Sequence, residues 1–133
     1  MKHVLDACAM LAYLKNETGA EVVEALLRDA SHECLAHAVN LCEVYYDLFR
    51  NSDERTAKRA LRDLEGDGIA VRRDISRSFL QQVGQLKARG RIAFADCFCV
   101  ALAQHLGAPV VTSDHHEFDA LAEGRICEVL FIR

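Results

Sequence analysis

Residues 92–114 read IAFADCFCVALAQHLGAPVVTSD. The first part, Ile92 to Gly107, is apolar almost all round, the pattern of a helix buried within the protein. The second part, Pro109 to Thr112, is a short apolar run with the length of a strand, closed by Ser113 and Asp114. A buried helix leading into a buried strand is the repeating unit of an α/β fold. One acid, Asp96, stands inside the apolar helix.

The rest of the chain keeps this rhythm. His3 to Leu5 is a short strand running straight into Asp6, and a small-residue helix, Ala9 to Leu14, follows. After Asn16 to Gly19, Val22, Val23, Leu26 and Leu27 share a helical face. Glu33 to Ala36 is a second strand, and Leu41, Val44, Tyr45 and Leu48 recur at amphipathic spacing. Ser52 and Asp53 cap a helix with Ala57, Ala60, Leu61 and Leu64 inward, which Gly66-Asp67-Gly68 stops. Ile69 to Arg72 is the third strand. Asp74 is the N-cap expected for a helix carrying Ile75, Phe79, Val83 and Leu86, closed by Arg89-Gly90-Arg91. Pro109 to Thr112 and Glu128 to Ile132 are the fourth and fifth strands. Strands separated by helices pair in parallel through right-handed crossovers, giving an open sheet flanked by helices. Ligands of such sheets sit beyond the carboxyl ends of the strands, where strand order reverses.

A length of 133 residues is that of one domain, spanning 1–133. With 51% apolar and 27% charged residues and a single Pro, the composition excludes disorder. The net charge of -4 hides an asymmetry: 11 Lys and Arg face 6 Asp and Glu between Arg50 and Arg91, a local +5, against 5 and 14 elsewhere. Six cysteines without a signal-peptide pattern, since Asp6 interrupts the N-terminal apolar run, point to reduced thiols and the cytoplasm. The longest apolar stretch, Ile92 to Ala103, contains Asp96 and falls far short of the roughly 20 residues of a membrane span.

The acids fall where the fold rule puts a site. Asp6 directly follows the first strand, and Asp114 follows the fourth. Glu43 lies in the first turns of the helix after the second strand, and Asp96 in the first turn of the buried helix. Buried carboxylates are costly unless paired or ligated, and several together repel, so a cluster calls for a divalent cation. Oxygen-only ligation selects Mg²⁺ or Mn²⁺, which keeps waters and substrate phosphate in its remaining positions. One ion fits, and so do two ions roughly 3.5 to 4 Å apart acting on a phosphodiester. The plainer role of Asp6 and Asp114 is to cap the helices that follow them; for Asp96 it is an N-terminal helix position or a pair with Arg91, and for Glu43 a solvated helical face.

At these residues the chain resembles the PIN-domain ribonucleases, particularly the VapC-like toxins of toxin-antitoxin pairs. VLDACAMLAYL is similar to the family's opening strand with its first acid, Asp6; NLCEVYYDL to the helix bearing Glu43; and RIAFADCFCVALAQHLGAPVVTSD to the closing block with Asp96 and Asp114. The resemblance implies a PIN-like α/β fold with five parallel strands in the order 3-2-1-4-5, and a metal-dependent endonuclease acting on RNA. It further implies homodimers and a cognate antitoxin covering the acidic pocket. Asp6, Asp96 and Asp114 then hold Mg²⁺ or Mn²⁺, with Glu43 orienting or ligating through water, and in-line cleavage leaves a 5′ phosphate. Thr112 matches the family's hydroxyl residue ahead of the fourth acid. Cys8 stands where a Ser or Thr is usual, and Asn40 where a small hydroxyl residue is frequent, changes that bear on efficiency rather than reaction class.

Glu117 and Asp119 are candidates for supporting a second metal, and His115 or His116 for touching phosphate, although a polar loop with capping acids explains the same segment. Asp47 reads as a solvated acid. Cys97 and Cys99 point to different helical faces and, like Cys34, His37 and His105, lack zinc-site spacing. Arg50, Arg55, Lys58, Arg59 and Arg62, with Lys87, Arg89 and Arg91, are placed to frame the cleft and hold a negative strand. With no Trp, 6 Phe and 3 Tyr, base stacking is a minor resource. Two other readings compete: an aspartyl-phosphate transferase, against which stand Cys8 and the lack of Lys after Lys87, and a catalytically silent PIN-like scaffold for RNA or protein.

Overall fold

The computed structural model describes residues 1–133. Its elements in chain order are β1 (Lys2–Leu5), α1 (Ala7–Leu14), α2 (Ala20–Arg28), β2 (Glu33–His37), α3 (Ala38–Asn51), α4 (Glu54–Gly66), β3 (Ala70–Arg72), α5 (Arg77–Arg89), α6 (Phe94–Leu106), β4 (Val110–Thr112), α7 (His115–Glu123) and β5 (Val129–Phe131). The five strands form one sheet in the order β3-β2-β1-β4-β5, and every pair is parallel. Both the α/β class and the expected strand order hold.

Handedness distributes the helices. The chain moves outward from β1 to β3, returns across the sheet to β4, and continues the other way to β5, so right-handed crossovers put the early helices on one face and the late ones on the other. One core gathers Met10, Val23, Val44 and Leu64 from α1 to α4. The other gathers Phe79, Val83, Phe98, Leu102 and Phe118 from α5 to α7. The central strands feed both layers by simple alternation: Leu5 and Val111 point into the first core, Val4 and Val110 into the second.

Strand order reverses between β1 and β4, whose register pairs Leu5 with Val111. Asp6 and Thr112 are therefore neighbours at the carboxyl edge.

Two local expectations fail for identifiable reasons. Helix α5 is capped by Ser76, which accepts from the Phe79 N–H, and not by Asp74. The Asp74 carboxylate is already engaged by the Arg72 guanidinium through two bonds of 2.9 Å, and Ile75 lies exposed outside the helix. The polar segment after Asp114 is the helix α7, since Phe118 and Leu121 at i and i+3 give it a buried face that its charged residues obscured.

Gly19, at φ 100°, turns the chain into α2 against the last strand's end. A Cβ there would stand 2.7 Å from the Ile132 carbonyl oxygen, in a backbone region L side chains rarely adopt. Gly19→Ala should lower stability by about 1–3 kcal/mol, read as a shift of the urea midpoint at unchanged slope.

Candidate active site

The site begins with a hydroxyl. Thr112, the last residue of β4, is fully buried, and its Oγ1 donates a short hydrogen bond to Asp6 Oδ2 while accepting the Asp114 N–H at 3.0 Å. One threonine thus joins the acids that end β1 and β4. Asp6 also caps α1, accepting the Ala9 N–H on Oδ1 at 2.8 Å, and Asp114 caps α7 through the Glu117 N–H at 3.0 Å. The capping role read from the sequence is real, and it coexists with convergence on the cleft.

Glu43 and Asp96 reach the same edge from two helices that Asn40 ties together. Its amide Nδ2 donates to Glu43 Oε1 at 3.0 Å and to the Ala95 carbonyl at 3.1 Å, the residue before Asp96. Asn40 is fully buried, and its Oδ1 has no partner. From the other side, Glu117 accepts the Ala93 N–H, capping a helix whose own N-cap residue has no side-chain acceptor. Glu117 therefore holds α6 in place beside the acids.

The electrostatics record how close the acids stand. Burial pushes Asp6, which is 1% exposed, up to about 7; the Thr112 and Ala9 bonds oppose this, and the charges of Asp114 and Glu43 add to it. Burial, then Asp6, Glu43, Glu117 and Asp114, push Asp96 to about 8. Burial raises Glu43 as well, with Asn40 opposing. The Cys8 thiol, half-buried among the same carboxylates, is held to about 12 and stays neutral. None of the ion pairs in the molecule includes Asp6, Glu43, Asp96 or Asp114. No three His, Cys, Asp or Glu side chains converge on a single ligation point. The carboxylates instead stand apart at the sheet edge, those of Asp6, Asp114 and Glu43 held by hydrogen bonds and that of Asp96 by none. An all-oxygen, uncompensated, partly desolvated donor set fits a hard divalent cation, the species that most directly relieves mutual repulsion of this kind.

Other candidates lie outside this group. Asp119 is exposed and bonds the His115 ring at 2.8 Å, while that ring stacks on Phe131 at 4.0 Å and reaches the Arg133 carbonyl. Lys87 does not frame the cleft: its Nζ donates to the Ile92 carbonyl at 2.8 Å, closing the connection between α5 and α6. A cavity of about 390 Å³ also lies apart from the acids, among Gln82, Leu86, Arg89, Gln104 and Ile126.

Comparison with known proteins agrees with this architecture. The family model described as PIN domain matches residues 3–124. Among solved structures, DNA-bound VapBC from Salmonella typhimurium is similar at a TM-score of 0.77 and 14% identity, covering 100% of this chain and 99% of that one. VapBC2 from Rickettsia felis, bound to a DNA fragment from its promoter, gives 0.75 and 15%, with 98% of each chain covered. VapC20 from Mycobacterium tuberculosis, a Sarcin-Ricin loop cleaving toxin, gives 0.72 and 15%, covering 89% and 94%. No curated protein sequence matches the chain.

Carboxyls raised by burial bind protons more readily folded than unfolded. In EDTA their contribution to stability is full below about pH 4 and is lost as pH rises through about 7 to 8. Asp96→Asn should therefore gain stability relative to the parent protein across that window, with a limiting slope of about 1.4 kcal/mol per pH unit. Urea unfolding of both proteins between pH 4 and 8 measures it, and a flat difference contradicts the buried, repelled state of Asp96.

Proposed function

The chain belongs to the PIN domain family, and from that membership and the un-neutralised carboxylates at its sheet edge we propose a metal-dependent endoribonuclease that is the toxin of a toxin-antitoxin pair. The observation that carries this reading is the placement of Asp6, Glu43, Asp96 and Asp114 at one edge of the sheet, close enough to raise one another's carboxyls and with no ion pair to any of them.

Asp6, Asp96 and Asp114 would hold Mg²⁺ or Mn²⁺. When bound, such an ion lowers the pKa of a water and offsets charge on a phosphodiester. The chain's own groups do the rest. Thr112 and the Ala9 N–H fix both oxygens of Asp6, so its outward lone pairs have one direction. Asp114 has one oxygen held by the α7 N-terminus and the other free. Asn40 holds Oε1 of Glu43 and leaves Oε2 to accept a proton from a water lined up with the scissile P–O bond. In-line attack that breaks the P–O3′ bond releases the 3′ oxygen, which takes up a proton from water, and leaves the phosphate on the 5′ end.

The rest of the reading concerns partners. The similar structures include VapBC complexes, of a family of toxin-antitoxin systems, and their likeness supports a cognate antitoxin for this chain; the homodimer rests on the family resemblance alone. No helix here is long and apolar enough to cross a membrane; on the toxin reading the RNA substrate is met in the cytoplasm.

Asp96→Asn should lower metal-dependent cutting of a structured RNA pool by about a hundredfold or more, with the fold intact by circular dichroism. Asp6→Asn should do the same. Full activity in either variant, or equal cutting in EDTA, overturns the assignment; binding without cutting in the parent protein leaves the scaffold reading in its place.

A further inference from the structure

The helix that carries Glu43 starts on an unusual residue. Helix α3 is capped by His37, whose Nδ1 accepts the Val39 N–H at 3.1 Å. Ser, Thr, Asp and Asn are preferred at such a position, and their oxygens go on accepting in mildly acid solution. A histidine accepts only while it is neutral, so this cap is conditional.

The partners fix which neutral form is present. The Val39 N–H can only donate, which leaves Nδ1 without a proton. The proton is then on Nε2, 3.0 Å from the Asp74 carbonyl, which can only accept. The ring is 1% exposed, lies nearly parallel to that of Phe79 on α5 at 5.5 Å, and packs on Phe98 of α6 at 5.0 Å. A second proton would set an Nδ1–H against the Val39 N–H, donor facing donor, in a site closed to solvent.

The groups around the ring offer such a charge little relief. His37 is paired across the sheet with Arg72, a cation, and the Arg72 guanidinium already holds the Asp74 carboxylate by two bonds of 2.9 Å. His105, on α6, competes with His37 for the field of that same carboxylate. Helix α5 faces the ring with Phe79, its own Arg77 being exposed. His37 belongs to none of the ion pairs in the molecule. The turn that it caps also holds Asn40, whose amide reaches Glu43 and the Ala95 carbonyl. Whatever loosens that turn loosens both bonds.

We propose that neutral His37 is a latch on the start of α3, and that its protonation in mildly acid solution opens the latch and frees Asn40 and Glu43. His37 touches no reacting atom and is a positioning residue. Its effect on cutting rests on the nuclease reading above; the latch itself does not.

The test is hydrogen exchange of single amides, followed by NMR on the isotope-labelled full chain in EDTA, at about pH 7.5 and about pH 5.5, on either side of the ordinary histidine titration. Each rate is taken relative to an unstructured peptide at the same pH, which removes the pH dependence of the exchange chemistry. Protection of the Val39 amide should fall about tenfold on acidification, while the Leu102 amide, within α6, loses none. Protonation of the raised carboxyls stabilises the fold as pH falls, so it does not imitate this loss. His37→Asn, which caps at either pH, should keep Val39 protected at both. His37→Phe, which keeps a ring between Phe79 and Phe98 but has no acceptor, should leave it poorly protected at both. In RNA cutting over the same window, kcat of the parent protein should fall about tenfold more than that of His37→Asn, with KM alike.

Constant Val39 protection in the parent protein, or the same loss in His37→Asn, overturns the latch. A side-chain nitrogen spectrum with the His37 proton on Nδ1 at the higher pH overturns it as well. A latch that opens as expected in a chain that cuts no RNA at either pH upholds the latch and sinks the nuclease reading alone.

Discussion

The hydrogen bond from Thr112 to Asp6 joins the ends of two parallel strands at the point where the sheet reverses its order. Asp6 and Asp114 are both placed by it. The buried hydroxyl serves Asp6 as donor and the Asp114 N–H as acceptor, so one side chain sets the separation of two acids that would otherwise repel. It also keeps the desolvation of Asp6 from being wholly unanswered. A buried carboxyl with no donor carries the full penalty of leaving water, and each bond it accepts returns part of that penalty.

The site is nonetheless short of positive charge, and the fold tolerates this because the remaining structure is conventional. Two apolar layers pack against a sheet whose central strands are buried on both faces, and most helix starts have side-chain caps. The instability is concentrated at one edge. Ordinary ion pairs such as Lys58 with Glu54 and Arg28 with Glu24 lie elsewhere on the surface, where they are screened and contribute little. No such pair is spent on the acids.

Much of this was legible in the sequence. Asp6 next to the first strand and Asp114 next to the fourth could be placed by the α/β rule alone, and Asp96 stood out because an acid inside an apolar helix has few structural reasons to be there. Less legible were relations across long sequence separations. That Asn40 bridges to the Ala95 backbone, or that Glu117 caps α6, depends on how helices meet, which periodicity within one helix does not encode. Asp74 was misread as a cap because Arg72 competes for it. Helix α7 was obscured because its apolar pair, Phe118 and Leu121, is thin beside its charged residues.

The four carboxylates differ in how firmly they are held, and the difference is systematic. Asp6 has donors on both oxygens, Asp114 and Glu43 on one each, while Asp96 carries the burden of burial and of its neighbours' charges. Its position comes from the backbone: Asn40 holds the Ala95 carbonyl from the α3 side, and Glu117 holds the Ala93 N–H from the α7 side. The start of α6 is thereby gripped on both sides of the turn that presents Asp96, and the side chain itself keeps its lone pairs uncommitted. An acid placed by backbone bonds can turn toward a cation without first breaking a bond of its own. The acid with the most scaffolding therefore defines the site, and the acid with the least completes it.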